Sequence, residues 1–193
     1  MISLKIIIAS TRPGRKGPAI AAWIFEWCKK NSLFSTEVLD LVEINLPFLD
    51  EPKPARLKEY TNEHTKSWSR EIDNSDAFII VTPEYNHGYP ASLKNAMDFL
   101  YWEWNYKPVA FVSYGGVAGG TRAVQQLHQV ATSLNMMPLP ESVCIPAFTK
   151  YIDNKGTFIA EDWLVISAET MLTELMKWAE ILTDMRMKQP VMP

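Results

Sequence analysis

The run Ala77-Phe78-Ile79-Ile80-Val81 constrains the fold more than any other stretch, because it is apolar without a break. A strand with no polar face is buried on both sides, which is the condition of a parallel sheet covered by helices. It is followed by Thr82-Pro83-Glu84-Tyr85-Asn86-His87-Gly88-Tyr89-Pro90 and then by Ala91–Tyr101. In that last segment Leu93, Ala96, Met97 and Leu100 recur at helical spacing. The joint between strand and helix is therefore a stiff polar shelf, with prolines fixing the backbone and tyrosines offering flat faces. At the carboxyl end of a parallel strand such a shelf is placed to receive a planar ligand.

The same alternation runs along the whole chain. Strands are expected at Leu4–Ala9, Thr36–Val42, Ala77–Val81, Pro108–Ser113 and within Met136–Ile145. Helices are expected at Pro18–Lys30, Asn62–Asn74, Ala91–Tyr101, Val117–Asn135 and Glu161–Leu182. Glu43–Thr61, with Pro47, Pro52 and Pro54, reads as a long loop suited to function or a subunit contact. The first, third and fourth strands are continuously apolar and belong in the centre. The second is broken by Asp40 and the fifth by Pro138 and Pro140, which suits edges. The expected fold is α/β and three-layered, with a five-stranded parallel sheet in the flavodoxin-like order 2-1-3-4-5. In that order the crevice lies between the loops leaving strands one and three. A single domain is expected over residues 1–184, with a loosely held tail over 185–193.

Composition narrows the function. A net charge of −3 without a basic stripe argues against a nucleic-acid partner. Arg12, Arg15 and Lys16 form one local cationic cluster, better suited to a small anion. Cys28 and Cys144 make no disulfide framework and read as buried, inert thiols. His64 and His128 lack companions at ligand spacing, so no metal is expected. No run approaches the length of a membrane span and no secretory signal is present, so a cytoplasmic location is expected.

Three loops carry candidate chemistry. Ser10-Thr11-Arg12-Pro13-Gly14-Arg15-Lys16-Gly17-Pro18 opens the first helix, where free amides and the helix dipole attract an anion. It is neither GxxxxGK[ST] nor GxGxxG, and it suits a terminal phosphate better than a buried pyrophosphate. The Pro83–Pro90 shelf and Ser113-Tyr114-Gly115-Gly116-Val117-Ala118-Gly119-Gly120 can clamp a ring, the second by bringing backbone amides to its edge. A phosphate cradle and two ring clamps on one rim describe a mononucleotide with a large planar head.

These residues resemble the NADPH-dependent FMN reductase family. The resemblance rests on Ser-Thr-Arg-Pro-Gly-Arg (10–15), Thr-Pro-Glu-Tyr-Asn-His-Gly (82–88) with Leu-Lys-Asn-Ala-Met-Asp (93–98), and Ser-Tyr-Gly-Gly (113–116) with Gly-Gly (119–120). It implies FMN as cofactor and NADPH or NADH as hydride donor. A quinone, azo compound, free flavin or similar oxidant is implied as the acceptor. Carried across, Ser10, Arg12, Arg15, Gly17 and Pro18 belong to the phosphate cradle. Pro83, Glu84, Tyr85 and Asn86 flank the ring, and Ser113, Tyr114, Gly115 and Gly116 meet its polar edge. Arg15 stands where many relatives have serine, and it serves either the FMN phosphate or the phosphates of NADPH. No catalytic acid or base is nominated: Glu84 reads as an orienting carboxylate and His87 as a loop histidine. A homodimer or homotetramer is expected, with Tyr101-Trp102-Glu103-Trp104 and the loop around Phe48 at the contact. The alternative is a flavodoxin-type electron carrier or a flavin-binding sensor acting on a protein. Against the carrier stands the small net charge for electrostatic docking.

Overall fold

The computed structural model describes residues 1–31 and 34–188. Its five strands are β1 Ser3–Ile8, β2 Ser35–Asp40, β3 Ala77–Pro83, β4 Pro108–Tyr114 and β5 Met137–Ile145. They form one parallel sheet in the order β2-β1-β3-β4-β5, as the apolar pattern predicts. β3 and β4 are buried along their whole length, whereas in β2 only Leu39 is fully buried. Their position in the sheet follows directly: a strand without a polar face can only be central. The prolines of β5 coincide with a register irregularity against β4, between Val109–Pro138 and Phe111–Ser142, where ladder bonds are interrupted in any case.

Helices cover both faces. α1 (Gly17–Asn31) and α6 (Asp162–Lys188) pack on one side, where Ile20, Ile24, Leu164 and Leu175 meet Ile6, Ile79 and Val112. α3 (Glu63–Asp73), α4 (Ala91–Asp98) and α5 (Thr121–Ser133) pack on the other, where Trp68, Met97 and Leu127 meet Ile7, Phe78 and Phe111. A short turn of helix, α2 (Leu41–Ile44), follows β2 directly. No described helix is long and apolar enough to cross a membrane.

Four of the differences from the sequence expectation have a clear local reason. β2 ends at Asp40 rather than Val42, because the Asp40 carboxylate accepts the Val42 amide (2.9 Å) and caps α2. α5 begins at Thr121 rather than Val117, because Gly119 and Gly120 adopt φ +57° and +89°. α6 runs to Lys188, so residues 185–188 are helical rather than a loose tail. Arg186 anchors them, bonding Asp76 (2.7 Å) and the Tyr106 carbonyl (2.8 Å). The rest of the expected tail, 189–193, lies outside the described residues. Finally, Trp104 is core, not a subunit contact. It is fully buried, sits edge-on to Trp68 and Phe78, and donates its indole N–H to the Met97 carbonyl. Glu103 beside it is also buried, accepting from Tyr60 Oη and Ser69 Oγ.

The Glu43–Thr61 loop is tied down despite its length. Glu51 accepts the amides of Thr61 (2.9 Å) and Asn62 (3.0 Å) and the Thr61 hydroxyl (2.8 Å). Burial opposes its ionisation, but these donors outweigh it and hold the carboxyl at about 2. Phe48 projects from the loop, 87 % exposed.

Candidate functional site

Parallel strands bring the loops after β1, β3 and β4 to one rim. There they enclose a cavity of about 300 Å³. Arg12, Gly14, Arg15 and Lys16 line it from the first loop, Pro83, Glu84 and Tyr85 from the second, and Tyr114, Gly115 and Gly116 from the third. Ser10, Gly17 and Ser113 lie buried behind this lining. Pro18 is half-buried in the first turn of α1, and Asn86 sits exposed at the tip of the second loop, outside the lining.

At the first loop, Pro13-Gly14 makes a turn closed by Arg15 N–H to the Arg12 carbonyl (3.1 Å), with Gly14 at φ +73°. The first intrahelical bond of α1 runs from the Ile20 amide to the Lys16 carbonyl, so the earlier amides of Gly17 and Ala19 have no helical acceptor. Gly17 is required by packing: a Cβ there would lie 3.0 Å from the Tyr114 hydroxyl and 3.1 Å from Ile8. Arg12 and Lys16 are exposed and form no ion pair among the described residues. Arg15 is different. Its guanidinium makes a bidentate pair with Asp40 (2.6 Å each) and donates to the Ser10 carbonyl (2.9 Å).

The second loop is a tight turn in which Tyr85 and Gly88 exchange backbone hydrogen bonds (2.8 and 3.0 Å). Asn86 and His87 occupy the left-handed region between them. Tyr85 Oη meets Ser10 Oγ at 2.6 Å, which joins the second loop to the first. Glu84 accepts the backbone amide of Arg122 (3.2 Å) and its Nε (2.6 Å), and Arg122 Nη1 donates to His87 Nε2 (2.9 Å). Burial opposes ionisation of Glu84, but the Arg122 bonds prevail and keep its carboxyl below the usual range. Glu84 thereby ties the second loop to the start of α5.

The third loop is fixed from beneath. Ser113 Oγ donates to the Gly119 carbonyl (2.9 Å). A Cβ at Gly120 would fall 2.8 Å from the Ser113 Cβ, and one at Gly119 would collide with the Cys144 sulfur. The chain leaving β5 is fastened to this loop by Ala147 N–H to the Gly116 carbonyl (2.8 Å) and Phe148 N–H to the Gly115 carbonyl (3.4 Å). Phe148 and Thr149 thereby join the cavity lining, and the Phe148 ring stands edge-on to Tyr114 (5.1 Å).

Sequence reasoning missed Arg122 and Phe148. Gly119-Gly120 just ahead of Arg122 could have marked it as a loop-end cation. No signal in the sequence connects Phe148 to the rim. Both cysteines are reduced. Cys28 is buried, which pushes its thiol up to about 12, and the half-buried Cys144 thiol is raised by the same cause.

The lining fits a phosphate joined to a planar ring. The Tyr114 hydroxyl is buried without a hydrogen-bond partner, and burial raises its pKa, so it remains a proton donor. It lies beside Gly17 at the start of α1, near Arg12 and Lys16, which form no ion pair among the described residues, an electropositive end for an anion. Pro83, Tyr85 and Phe148 supply apolar surface for a ring. A second cavity of about 460 Å³ lies across the first loop, between α2 and α4. Two of its polar side chains are engaged within the protein: Asn95 holds the Pro47 carbonyl and the Leu49 amide, and Ser92 donates to the Ala9 carbonyl.

Comparison with known proteins agrees with this geometry. Residues 2–150 match the family model described as NADPH-dependent FMN reductase. An NAD(P)H-dependent FMN reductase of Schizosaccharomyces pombe is 46% identical over 146 residues, covering 75% of this chain and 71% of that protein. A quinone reductase of Pseudomonas putida is 34% identical over 149 residues, covering 72% and 76%. Among solved structures, the flavoenzyme NAD(P)H:(acceptor) oxidoreductase FerB of Paracoccus denitrificans superposes with a TM-score of 0.72 at 21% identity, over 93% of this chain and 98% of that one. The matched region runs from β1 past β5 and so carries every loop that lines the cavity. The chain belongs to the NADPH-dependent FMN reductase family.

Proposed function

We propose that this protein is an FMN-dependent oxidoreductase that takes hydride from NAD(P)H and passes electrons to a small acceptor such as a quinone, an azo compound or free flavin. The observation that carries the reading is the polarity of the rim cavity. One end gathers unpaired donors, the other presents flat apolar surface and glycine edges, and both lie inside the region shared with the family. FMN, when bound, supplies the ring that accepts hydride and gives up electrons.

The protein's own part is positioning and field. The amides of Gly17 and Ala19, Arg12, Lys16 and the Tyr114 hydroxyl hold the phosphate. Ser10 and Arg15 shape the loop that carries them. Pro83 and Tyr85 support the ring, with Asn86 at the turn above it. Ser113 fixes the loop whose Gly115 and Gly116 meet the ring edge. Glu84 locks the second loop to α5 through Arg122. No side chain is required as acid or base. The reading extends to a cytoplasmic, self-associating protein, supported by its unpaired thiols and by Phe48 and Leu49, both exposed beside the second cavity.

Purified protein should carry or take up one FMN per chain and oxidise NADPH or NADH when given benzoquinone, an azo dye or FMN. Protein that binds no flavin would refute the reading. A bound flavin that NAD(P)H leaves oxidised would favour an electron carrier.

A further inference from the structure

Arg15 carries one of three cations in the phosphate loop, yet its geometry differs from its neighbours'. Its guanidinium engages both Asp40 oxygens and the Ser10 carbonyl, so its planar fork is filled on the side facing the protein. The pair is mostly enclosed, with side-chain exposures of 16% for Arg15 and 12% for Asp40. Asp40 is fixed from the other direction as well, because the same carboxylate caps α2 through the Val42 amide.

We infer that Arg15 is a positioning residue and not a phosphate ligand: the Arg15–Asp40 pair braces the first loop between β1 and β2 in the shape that receives the FMN phosphate. This rests on the proposed FMN reading and assigns a role within it. Ser10 is two residues beyond the end of β1, and Arg15 is two residues before α1. A guanidinium that grips the Ser10 carbonyl therefore closes the loop on itself, and Asp40 anchors that closure to the edge strand. If Arg15 swung out to a phosphate, it would leave a carboxylate nearly enclosed and uncompensated. The paired charges largely cancel at a distance, so the electropositive field of the loop comes from Arg12, Lys16 and the α1 amides. Asp40, 25 residues from Arg15 along the chain, thereby becomes a determinant of cofactor binding without touching the cofactor.

The two roles predict opposite signs. If Arg15 were a ligand, Asp40→Asn would free it and tighten FMN binding. Arg15→Lys, which keeps the charge, would largely preserve binding. If Arg15 is a brace, Asp40→Asn removes the anchor and Arg15→Lys removes the fork.

The test is titration of apoprotein with FMN and with riboflavin, which lacks the phosphate, alongside thermal melting without flavin. The brace predicts that each variant raises the FMN Kd by about tenfold or more. It also predicts riboflavin Kd values within about threefold of wild type, measured at a temperature where each variant is still folded by its melting curve. Unchanged or tighter FMN binding by Asp40→Asn would overturn it, as would full retention by Arg15→Lys. Equal loss of both flavins with a lowered melting temperature would also overturn it, by making the pair a general structural contact. Failure of the wild-type protein to bind FMN would instead refute the proposed function and is read separately.

Discussion

The two ends of the rim cavity treat charge in opposite ways. At the end built by the first loop, among the described residues Arg12 and Lys16 form no ion pair, the Gly17 and Ala19 amides have no helical acceptor and the Tyr114 hydroxyl is buried without a partner. At the end built by the second and third loops, Glu84 is held by Arg122, Arg122 reaches His87, and Ser113 is tied to Gly119. One end is left for a ligand to complete, while the other is complete before any ligand arrives. An anion compensates unfilled donors strongly, so unsatisfied groups suit the phosphate end. A neutral ring contributes mostly surface, so the protein must supply a rigid frame in advance.

The contrast can be broken most severely at the rigid end. Gly120→Ala places a methyl 2.8 Å from the Ser113 Cβ at φ +89°, where the obstructing atoms include the Tyr114 backbone nitrogen. It should cost about 2–4 kcal/mol of stability, measured by urea unfolding of the flavin-free protein. A loss below about 0.5 kcal/mol would mean that this end is not rigid.

Next in size is the phosphate end. Arg12→Ala with Lys16→Ala should weaken FMN by roughly 100-fold, in the range of two lost charge-assisted contacts. Riboflavin affinity and the melting temperature should scarcely move. Equal weakening of both flavins would place the cations at the ring instead.

A sharper and smaller test is Tyr114→Phe, for which the two states should respond with opposite signs. Removing a buried, unpartnered hydroxyl should leave the flavin-free protein unchanged or up to about 1 kcal/mol more stable, while FMN affinity falls by a similar amount. Destabilisation without loss of FMN affinity would mean that the hydroxyl is satisfied within the protein.

The smallest expected effect lies outside the cavity and serves as a control. The Glu51 carboxyl has a folded pKa depressed to about 2, below its ordinary 4.5, so it stabilises the fold above pH 4.5 and loses that contribution as pH falls toward 2. Glu51 is only half-buried at the surface, so solvent screens its contacts and Glu51→Gln should cost less than about 1 kcal/mol at pH 7. The difference from wild type should shrink below pH 4.5, and FMN affinity should stay constant. A difference that grows with acid would contradict the hydrogen-bond assignment.

Much of this molecule is legible in its sequence because burial on both faces leaves a plain mark. The continuous apolar runs of β3 and β4, set against the charge in β2 and the prolines in β5, are enough to order the sheet. The order then places three loops on one rim. Residues whose roles depend on a distant partner were harder to read. Arg15 reads as one of three loop cations, and nothing in the sequence links it to Asp40, on a neighbouring strand, which pairs with its guanidinium. Arg122 carries no motif, and its role appears only when α5 meets the second loop. Phe148 reaches the cavity because two backbone hydrogen bonds fold the exit of β5 over the glycine loop. Trp-Glu-Trp at 102–104 alternates like a surface segment, yet Glu103 is buried and satisfied by Tyr60 and Ser69, which the pattern does not show.

Parallel titrations of the flavin-free wild-type protein with FMN and riboflavin, at low and high salt, address the central claim most directly. The account predicts one FMN per chain, bound about 100-fold or more tightly than riboflavin at low salt, with the gap narrowing as salt screens Arg12 and Lys16. Equal affinity for the two flavins at both salt concentrations would contradict it.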